Sequence, residues 1–118
     1  MVMDLATGVP IEDVGTVGDA GAVNVIYGSS GGLNGSALSP GNGNNDQIWT
    51  QAITGGAEAD DGFGSTLATG DFNKDGFSDL AIGVPKEDIS TISDPGAVNV
   101  IYGSSGGLSA TAKPTNQI

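Results

Sequence analysis

The sequence repeats one long stretch of itself, and this repeat constrains the fold more than any other feature. Residues 4–33, DLATGVPIEDVGTVGDAGAVNVIYGSSGGL, recur as residues 79–108, DLAIGVPKEDISTISDPGAVNVIYGSSGGL, at an offset of 75 residues without a gap. Of the 30 aligned positions 23 are identical, and the last 13 match completely. Further along, NDQI at 45–48 matches TNQI at 115–118 at an offset of 70. A period of this length, built from short apolar runs, favours a propeller blade over a helical solenoid.

Four kinds of short strand can be placed within the repeat. The runs DLATGV and DLAIGV each end at a proline, which cannot continue a central strand ladder. AVNVIYG occurs twice and is rich in residues that favour strands. QIWTQAI at 47–53 and GSTLATGDF at 64–72 are two further strand segments, and GSSGGL has the composition of a turn. No apolar stripe of period 3.6 runs through residues that favour helix, so we expect no helix.

The expected fold is therefore all-β, with about two blades of the four-stranded antiparallel propeller type. We expect residues 1–54 to form an incomplete blade with strands 2 to 4, and residues 55–118 to form a second blade whose last strand is truncated. A closed propeller has about four to eight blades. We therefore expect these blades to be part of a larger propeller or to be completed by oligomerisation.

The charge and composition of the chain exclude several classes of binding partner and of functional site. The chain has 14 acidic residues against 3 lysines, no histidine and a net charge of −11. Such a chain repels phosphate backbones, so we expect no nucleic-acid binding. We expect no membrane insertion either, because no stretch approaches the ~18 apolar residues of a membrane span. Without histidine or cysteine, the Ser-His-Asp triad, disulfides and most zinc sites are excluded, and the sequence predicts a protein that is not an enzyme.

The segment DFNKDGFSD, residues 71–79, has the spacing of a calcium loop. Asp71, Asn73, Asp75 and Asp79 occupy its positions 1, 3, 5 and 9, and Gly76 at position 6 permits a sharp turn. Hard oxygen donors in this number suit Ca²⁺, which takes about six to eight oxygen ligands, better than Mg²⁺, which demands stricter geometry. The alternative is an Asx-rich turn that needs no ion.

The loop differs from an EF-hand. Position 7 is Phe77, which can offer its backbone carbonyl, but position 12 is Ile82 instead of the bidentate glutamate that an EF-hand needs. No helical pattern flanks the loop, so we expect it to join two strands. In the first copy only Asp4, the counterpart of Asp79, is retained.

These motifs together resemble a known family. Phe63-Gly64, the loop at 71–79 and Gly83-Val84-Pro85 look like the FG-GAP repeats of integrin α-subunit β-propellers and their bacterial relatives. The resemblance implies four-stranded blades around an axis, usually about seven in number, with calcium bound between the first two strands. It also implies an extracellular or cell-surface setting and a role in adhesion or protein interaction. The implied Ca²⁺ ligands are Asp71, Asn73, Asp75, Asp79 and the carbonyl of Phe77.

Three interpretations of function follow. The first is a calcium-binding FG-GAP module for protein interaction or adhesion. The second is a self-assembling repeat unit that forms a ring or a fibre, and the third is a non-catalytic propeller portion of a secreted enzyme. The N-terminal MVMDLATGVP has no basic region and no apolar run, so we expect no signal peptide within this segment.

A second acidic feature recurs in both copies. The pairs Glu12-Asp13 and Glu87-Asp88 each follow the Gly-Val-Pro motif. They allow either a second cation site or a solvated acidic loop before a turn. The turn interpretation is favoured, because acidic residues next to turns are common without any ion.

Overall fold

The computed structural model describes residues 3–33, 47–51, 56–88, 91–93 and 95–109, and within these ranges its architecture is all-β. The strands are β1 Leu5–Val9, β2 Ala22–Ile26, β3 Gly28–Ser29, β4 Gly32–Leu33, β5 Gln47–Trp49, β6 Thr66–Gly70, β7 Asp79–Val84, β8 Ala97–Ser104 and β9 Gly107–Ser109. All of their pairings are antiparallel. Across the described ranges no helix is long and apolar enough to cross a membrane.

Two sheets correspond to the two copies of the repeat. The first has the order β1-β2-β5, and the second has the order β6-β7-β8-β9, while β3 and β4 form a small separate hairpin. The expected all-β fold, with antiparallel sheets of three and four strands, is confirmed. The division of the chain between residues 54 and 55 stays a prediction.

The repeated sequence folds with the same register twice. In the first sheet Leu5 lies opposite Ile26, and in the second Leu80 lies opposite Ile101. Both partners are shifted by the same 75 residues, so the pairing register is preserved, although the buried face differs: Val23 and Val25 are buried in the first sheet, and Asn99 and Ile101 are buried in the second. The internal repeat is therefore a structural repeat as well.

Two strand predictions differ from the structure. QIWTQAI gives only the strand Gln47–Trp49, and residues 52–53 lie outside the described residues. The expected last strand at 115–118 also lies outside them, and the fourth described strand of the second sheet is β9, which pairs with the end of β8. The turn interpretation of GSSGGL therefore missed the short strands on either side of the turn.

Side chains from both sheets share one hydrophobic core. Phe63, which precedes β6 in the chain, has a fully buried side chain in this core. Partly buried residues such as Trp49 and Leu108 pack around this core. The core cluster consists of Val23, Val25, Phe63, Leu80, Ile82, Val84 and Ile101. The two copies are thus held together by apolar packing, which is the dominant stabilising term in folding.

Candidate metal centre

The predicted calcium loop lies between β6 and β7, as the sequence indicates. Gly70 and Asp79 form the last pair of the β6–β7 ladder, so residues 71–78 make the connection. Gly76 has a φ of +91°, a left-handed conformation that glycine adopts without a steric penalty. The expected role of Gly76 in the turn is therefore confirmed.

The side chains of the loop organise its backbone. Oδ1 and Oδ2 of Asp71 accept hydrogen bonds from the backbone N–H groups of Asp75, at 3.0 Å, and Gly76, at 2.8 Å. Oδ1 of Asn73 accepts a further bond from Asp75 N at 3.2 Å. Oδ1 of Asp75 in turn accepts a bond from Phe77 N at 2.9 Å. The carboxylates thus hold the turn that brings them together, as in an Asx-rich turn.

Asp79 connects the loop to the rest of the sheet. Its side chain is 1% exposed. Oδ2 accepts a hydrogen bond from Phe72 N at 2.7 Å, and Oδ1 accepts one from Gly103 N at 2.9 Å. Asp4 accepts the equivalent bond from Gly28 N at 2.9 Å in the first copy. The aspartate shared by both repeats therefore ties the start of one strand to the next strand, whether or not the rest of the loop is present.

The donor set of the loop fits a hard divalent cation. The potential ligands are carboxylate, amide and carbonyl oxygens, without nitrogen or sulfur, which is the set that Ca²⁺ prefers. Each carboxylate oxygen has two acceptor positions, so one backbone N–H bond leaves capacity for a cation. Three carboxylates in the loop face only one lysine, Lys74, so the local charge is negative. The ligand set of Asp71, Asn73, Asp75, Phe77 and Asp79 stays a prediction.

A second acidic cluster lies at the start of the second copy, and sequence reasoning missed most of it. Within the described parts of the chain, carboxylate oxygens of Glu58, Asp61 and Glu87 lie within 4.8 Å of one another. Oδ2 of Asp61 accepts a hydrogen bond from Glu58 N at 2.8 Å, and Glu87 accepts one from the side chain of Gln51. Burial is the main cause that raises the pKa of the Asp61 carboxyl and of the Glu87 carboxyl. The segment GAEADDG resembles an ordinary acidic loop, and no sequence signal marks the buried members.

The paired acids after each Gly-Val-Pro motif have different environments. Glu12 and Asp13 are exposed, and Asp13 accepts a hydrogen bond from Asp19 N at 3.0 Å, as a turn residue does. Asp88 is exposed as well, but Glu87 is only 8% exposed. The interpretation as a solvated loop is therefore confirmed for the first pair and wrong for Glu87, which is covered by the segment that precedes β6.

A cleft of about 450 Å³ separates the loop from the first copy. Tyr27 spans part of this boundary, because its hydroxyl donates to Gln47 Oε1 at 2.6 Å and accepts from Leu108 N at 2.8 Å. Burial is the main cause that raises the pKa of the Tyr27 hydroxyl. Phe77 and Asp79 line the cleft from the second copy. The loop therefore faces the neighbouring repeat on one side.

A four-stranded antiparallel sheet with an acidic loop between its first two strands defines an all-β repeat module. Residues 63–101 match the model of the FG-GAP repeat family, from Phe63 through the loop and into β8. This part of the chain belongs to the FG-GAP repeat family, and the resemblance in the sequence is confirmed.

Three proteins similar to the chain carry the same name. The chain is 37% identical over 87 residues to the phosphatidylinositol-glycan-specific phospholipase D of Mus musculus, a match that covers 74% of this chain and 9% of the relative. The Rattus norvegicus protein is 51% identical over 45 residues, covering 38% of this chain and 5% of the relative. The Homo sapiens protein is 46% identical over 54 residues, covering 45% and 6%. The chain thus spans less than a tenth of these relatives, and no solved structure matches it.

Proposed function

We propose that this chain is a calcium-stabilised FG-GAP interaction module that works outside the cell. The observation that carries the proposal is the spacing of Asp71, Asn73, Asp75 and Asp79 along the connection from β6 into β7 of an FG-GAP repeat. Side chains of Asp71, Asn73, Asp75 and Asp79 and the carbonyl of Phe77 would hold the ion. A bound calcium ion would neutralise part of the −11 net charge and restrain the hairpin.

The extracellular setting follows from the same chemistry. A small loop of this type suits modest affinity, and extracellular calcium modules bind with dissociation constants of about 10⁻⁴–10⁻³ M. Such a site is filled only where free calcium is high. Adhesion or binding of a protein partner is the role that FG-GAP repeats of the integrin type imply, and we propose it for this chain.

Calorimetric titration of the full chain with CaCl₂ tests the metal proposal. We expect one binding event in the wild type and its loss in Asp75→Ala, because Asp75 supplies a carboxylate at the centre of the loop. Glu12→Ala is the matched control, since it removes one exposed acidic side chain outside the loop. Equal binding in Asp75→Ala and Glu12→Ala would refute the proposed site.

Assembly with other copies of the chain is the second candidate function. In the second sheet β7 lies between β6 and β8, whereas among the described residues its counterpart β1 pairs only with β2. An open strand edge offers unpaired N–H and C=O groups to another strand. Sedimentation of the full chain across a concentration series tests this proposal, and a monomer at every concentration would exclude it.

We also propose that the module has no catalytic role of its own. Its relatives are named as phospholipases, but the chain matches less than a tenth of each of them. The sequence offers no histidine to act as a general base. Release of phosphatidic acid from a glycan-linked phosphatidylinositol by the purified chain would contradict this proposal.

A further inference from the structure

The chain contains two Asp-Gly pairs, and the structure gives them opposite surroundings. They are Asp61-Gly62 and Asp75-Gly76. In such a pair the backbone nitrogen of the glycine can attack the carboxyl carbon of the aspartate side chain, because glycine has no side chain that shields its nitrogen. The two pairs have the same two residues, so a difference in their reactivity has to come from the fold.

The Asp75-Gly76 pair is open to this attack. Both residues are exposed, and a methyl group added to Gly76 would meet nothing within 4 Å. Oδ1 of Asp75 accepts a hydrogen bond from Phe77 N at 2.9 Å, two residues further along the chain. This bond directs the carboxyl group forward along the backbone, towards the peptide whose nitrogen belongs to Gly76.

The Asp61-Gly62 pair is shielded. Asp61 is 2% exposed, and its Oδ2 accepts a hydrogen bond from Glu58 N at 2.8 Å, three residues earlier in the chain. The carboxyl group is therefore held towards the preceding segment and away from Gly62 N. Lys86 N donates to Asp61 O at 3.3 Å, which restrains the peptide that would have to close into a ring. A methyl group added to Gly62 would lie 3.1 Å from Ser65 Oγ, so the space around this glycine is also filled.

We propose that Asp75 is a site of spontaneous isomerisation to isoaspartate and that the fold protects Asp61 from the same reaction. Gly76 N forms a bond to the side-chain carboxyl carbon of Asp75, and one carboxyl oxygen leaves as water with the N–H proton and a proton from solvent. The product is a succinimide ring. Water then opens the ring and returns the proton to solvent. Opening at the original side-chain carbonyl restores aspartate, and opening at the original backbone carbonyl gives isoaspartate of unchanged mass.

The isomer would change the shape of the loop. Its backbone runs through the former side chain of residue 75 and is one atom longer, while the carboxylate left as a side chain is shorter by one methylene group. Asp71 accepts hydrogen bonds from Asp75 N at 3.0 Å and from Gly76 N at 2.8 Å, and these depend on the normal spacing of the two nitrogens. The consequence for calcium rests on the proposed function: isomerised molecules would lose the Asp75 ligand and with it the metal.

Peptide mapping of the full chain, aged at neutral pH in EDTA, tests the proposal. Digestion after glutamate releases residues 59–87, which contain both Asp-Gly pairs, and electron-transfer fragmentation locates isoaspartate at either one. In the folded chain we expect isoaspartate to form about tenfold faster, or more, at Asp75 than at Asp61, because Asp61 must first be exposed by local opening. In guanidinium chloride the two rates should become similar. A ratio that is the same in the folded and the unfolded chain would overturn the proposal, and so would a folded chain that forms no isoaspartate at Asp75.

Two matched variants measure the same contrast by a change in mass. Asparagine followed by glycine forms the same succinimide with loss of ammonia, so Asp75→Asn and Asp61→Asn turn the isomerisation into a deamidation. In the folded chains we expect Asp75→Asn to deamidate at its new position about tenfold faster, or more, than Asp61→Asn does. Equal rates in the two folded variants would contradict the protection of position 61.

Ageing in CaCl₂ separates this inference from the proposed calcium function. A bound ion would hold the Asp75 carboxylate, so calcium should slow isomerisation at Asp75 and leave Asp61 unchanged. Isomerisation at Asp75 in EDTA, together with no calcium binding by the fresh chain, would refute the calcium function alone. Intact calcium binding, together with no isomerisation at Asp75 in EDTA, would refute this inference alone.

Discussion

Oδ1 of Asp79 accepts a hydrogen bond from the backbone N–H of Gly103 at 2.9 Å, which joins the start of β7 to the far part of β8. The same bond links Asp4 to Gly28 at the same distance, 75 residues earlier. Asp79 is buried and also accepts from Phe72, whereas Asp4 is exposed. The equivalent aspartates of the two repeats therefore accept the same hydrogen bond, one in an exposed and the other in a buried environment.

Asp79→Ala should destabilise the protein more than Asp4→Ala. The buried variant leaves the N–H of Gly103 without its acceptor, and we expect a loss of about 3 kcal/mol in the free energy of unfolding. In Asp4→Ala the N–H of Gly28 can donate to water instead, and we expect a loss of about 1 kcal/mol or less in the free energy of unfolding. Urea unfolding in EDTA measures both, and equal losses would contradict the burial argument.

Calcium should raise the melting temperature of the chain. A ligand present at 100 times its dissociation constant stabilises the folded state by about 2.7 kcal/mol. We expect EDTA to reverse the increase, and Asp75→Ala to behave like the chelated wild type at every calcium concentration. Scanning calorimetry with Glu12→Ala as control checks this. A melting temperature that does not change between calcium and EDTA would count against a structural calcium ion.

Glu87→Gln should stabilise the chain at neutral pH. Burial, followed by the charges of Asp61, Glu58 and Asp88, raises the pKa of Glu87, while the Gln51 hydrogen bond lowers it. The folded state therefore holds a proton that the unfolded state releases, so this residue's contribution to stability falls as pH rises through the window above its ordinary value of 4.5. Removing the charge should add about 0.5–1 kcal/mol at pH 7.

The stability gain of Glu87→Gln should disappear when the pH falls below that window. Urea unfolding of wild type and Glu87→Gln in EDTA, at neutral pH and near the ordinary carboxyl pKa, measures the difference. Glu12→Gln is the matched control, because Glu12 is the exposed residue at the equivalent position. A gain of the same size in Glu12→Gln would attribute the effect to net charge instead of burial.

Gly21→Ala should cost more than Gly96→Ala. Both glycines have a left-handed φ, so each alanine pays a backbone penalty of about 1–2 kcal/mol. At Gly21 the added methyl also overlaps the backbone of Phe63, whereas at Gly96 its nearest neighbour is Pro85 O at 3.1 Å. We expect a further loss of about 1–3 kcal/mol at Gly21. Comparison of the two denaturation midpoints checks the contact, and equal midpoints would argue against it.

The sequence predicts that the repeated segments form paired strands, because this pairing depends on the local alternation of side chains and on the turns between strands. The pairing of Leu5 with Ile26 recurs in the second copy for this reason. Burial could not be predicted in the same way. Val23 and Val98 have the same neighbours in sequence but different exposure, since exposure depends on a distant segment that packs on one of them.

In the candidate site too, the local features could be predicted from the sequence, and the contacts between distant parts of the chain could not. The spacing of Asp71, Asn73 and Asp75 is local, so the sequence predicts a turn that the structure confirms. The environment of Glu87 is not local, because Asp61 and Gln51 approach it from other parts of the chain. Acidic residues in a loop give no signal that one of them is covered.

Phe63 belongs by sequence to the second copy and packs against Val23 of the first. In a linear array of repeats, stability is the sum of intrinsic terms and nearest-neighbour terms. Because Phe63 contributes to the core of the preceding repeat, part of the stability comes from contact between neighbouring repeats and less from the intrinsic stability of each repeat. The unit that unfolds cooperatively is then offset from the unit that the sequence repeats. A cut placed just before Phe63 would separate this residue from the first copy, against which it packs, and leave it attached to the second.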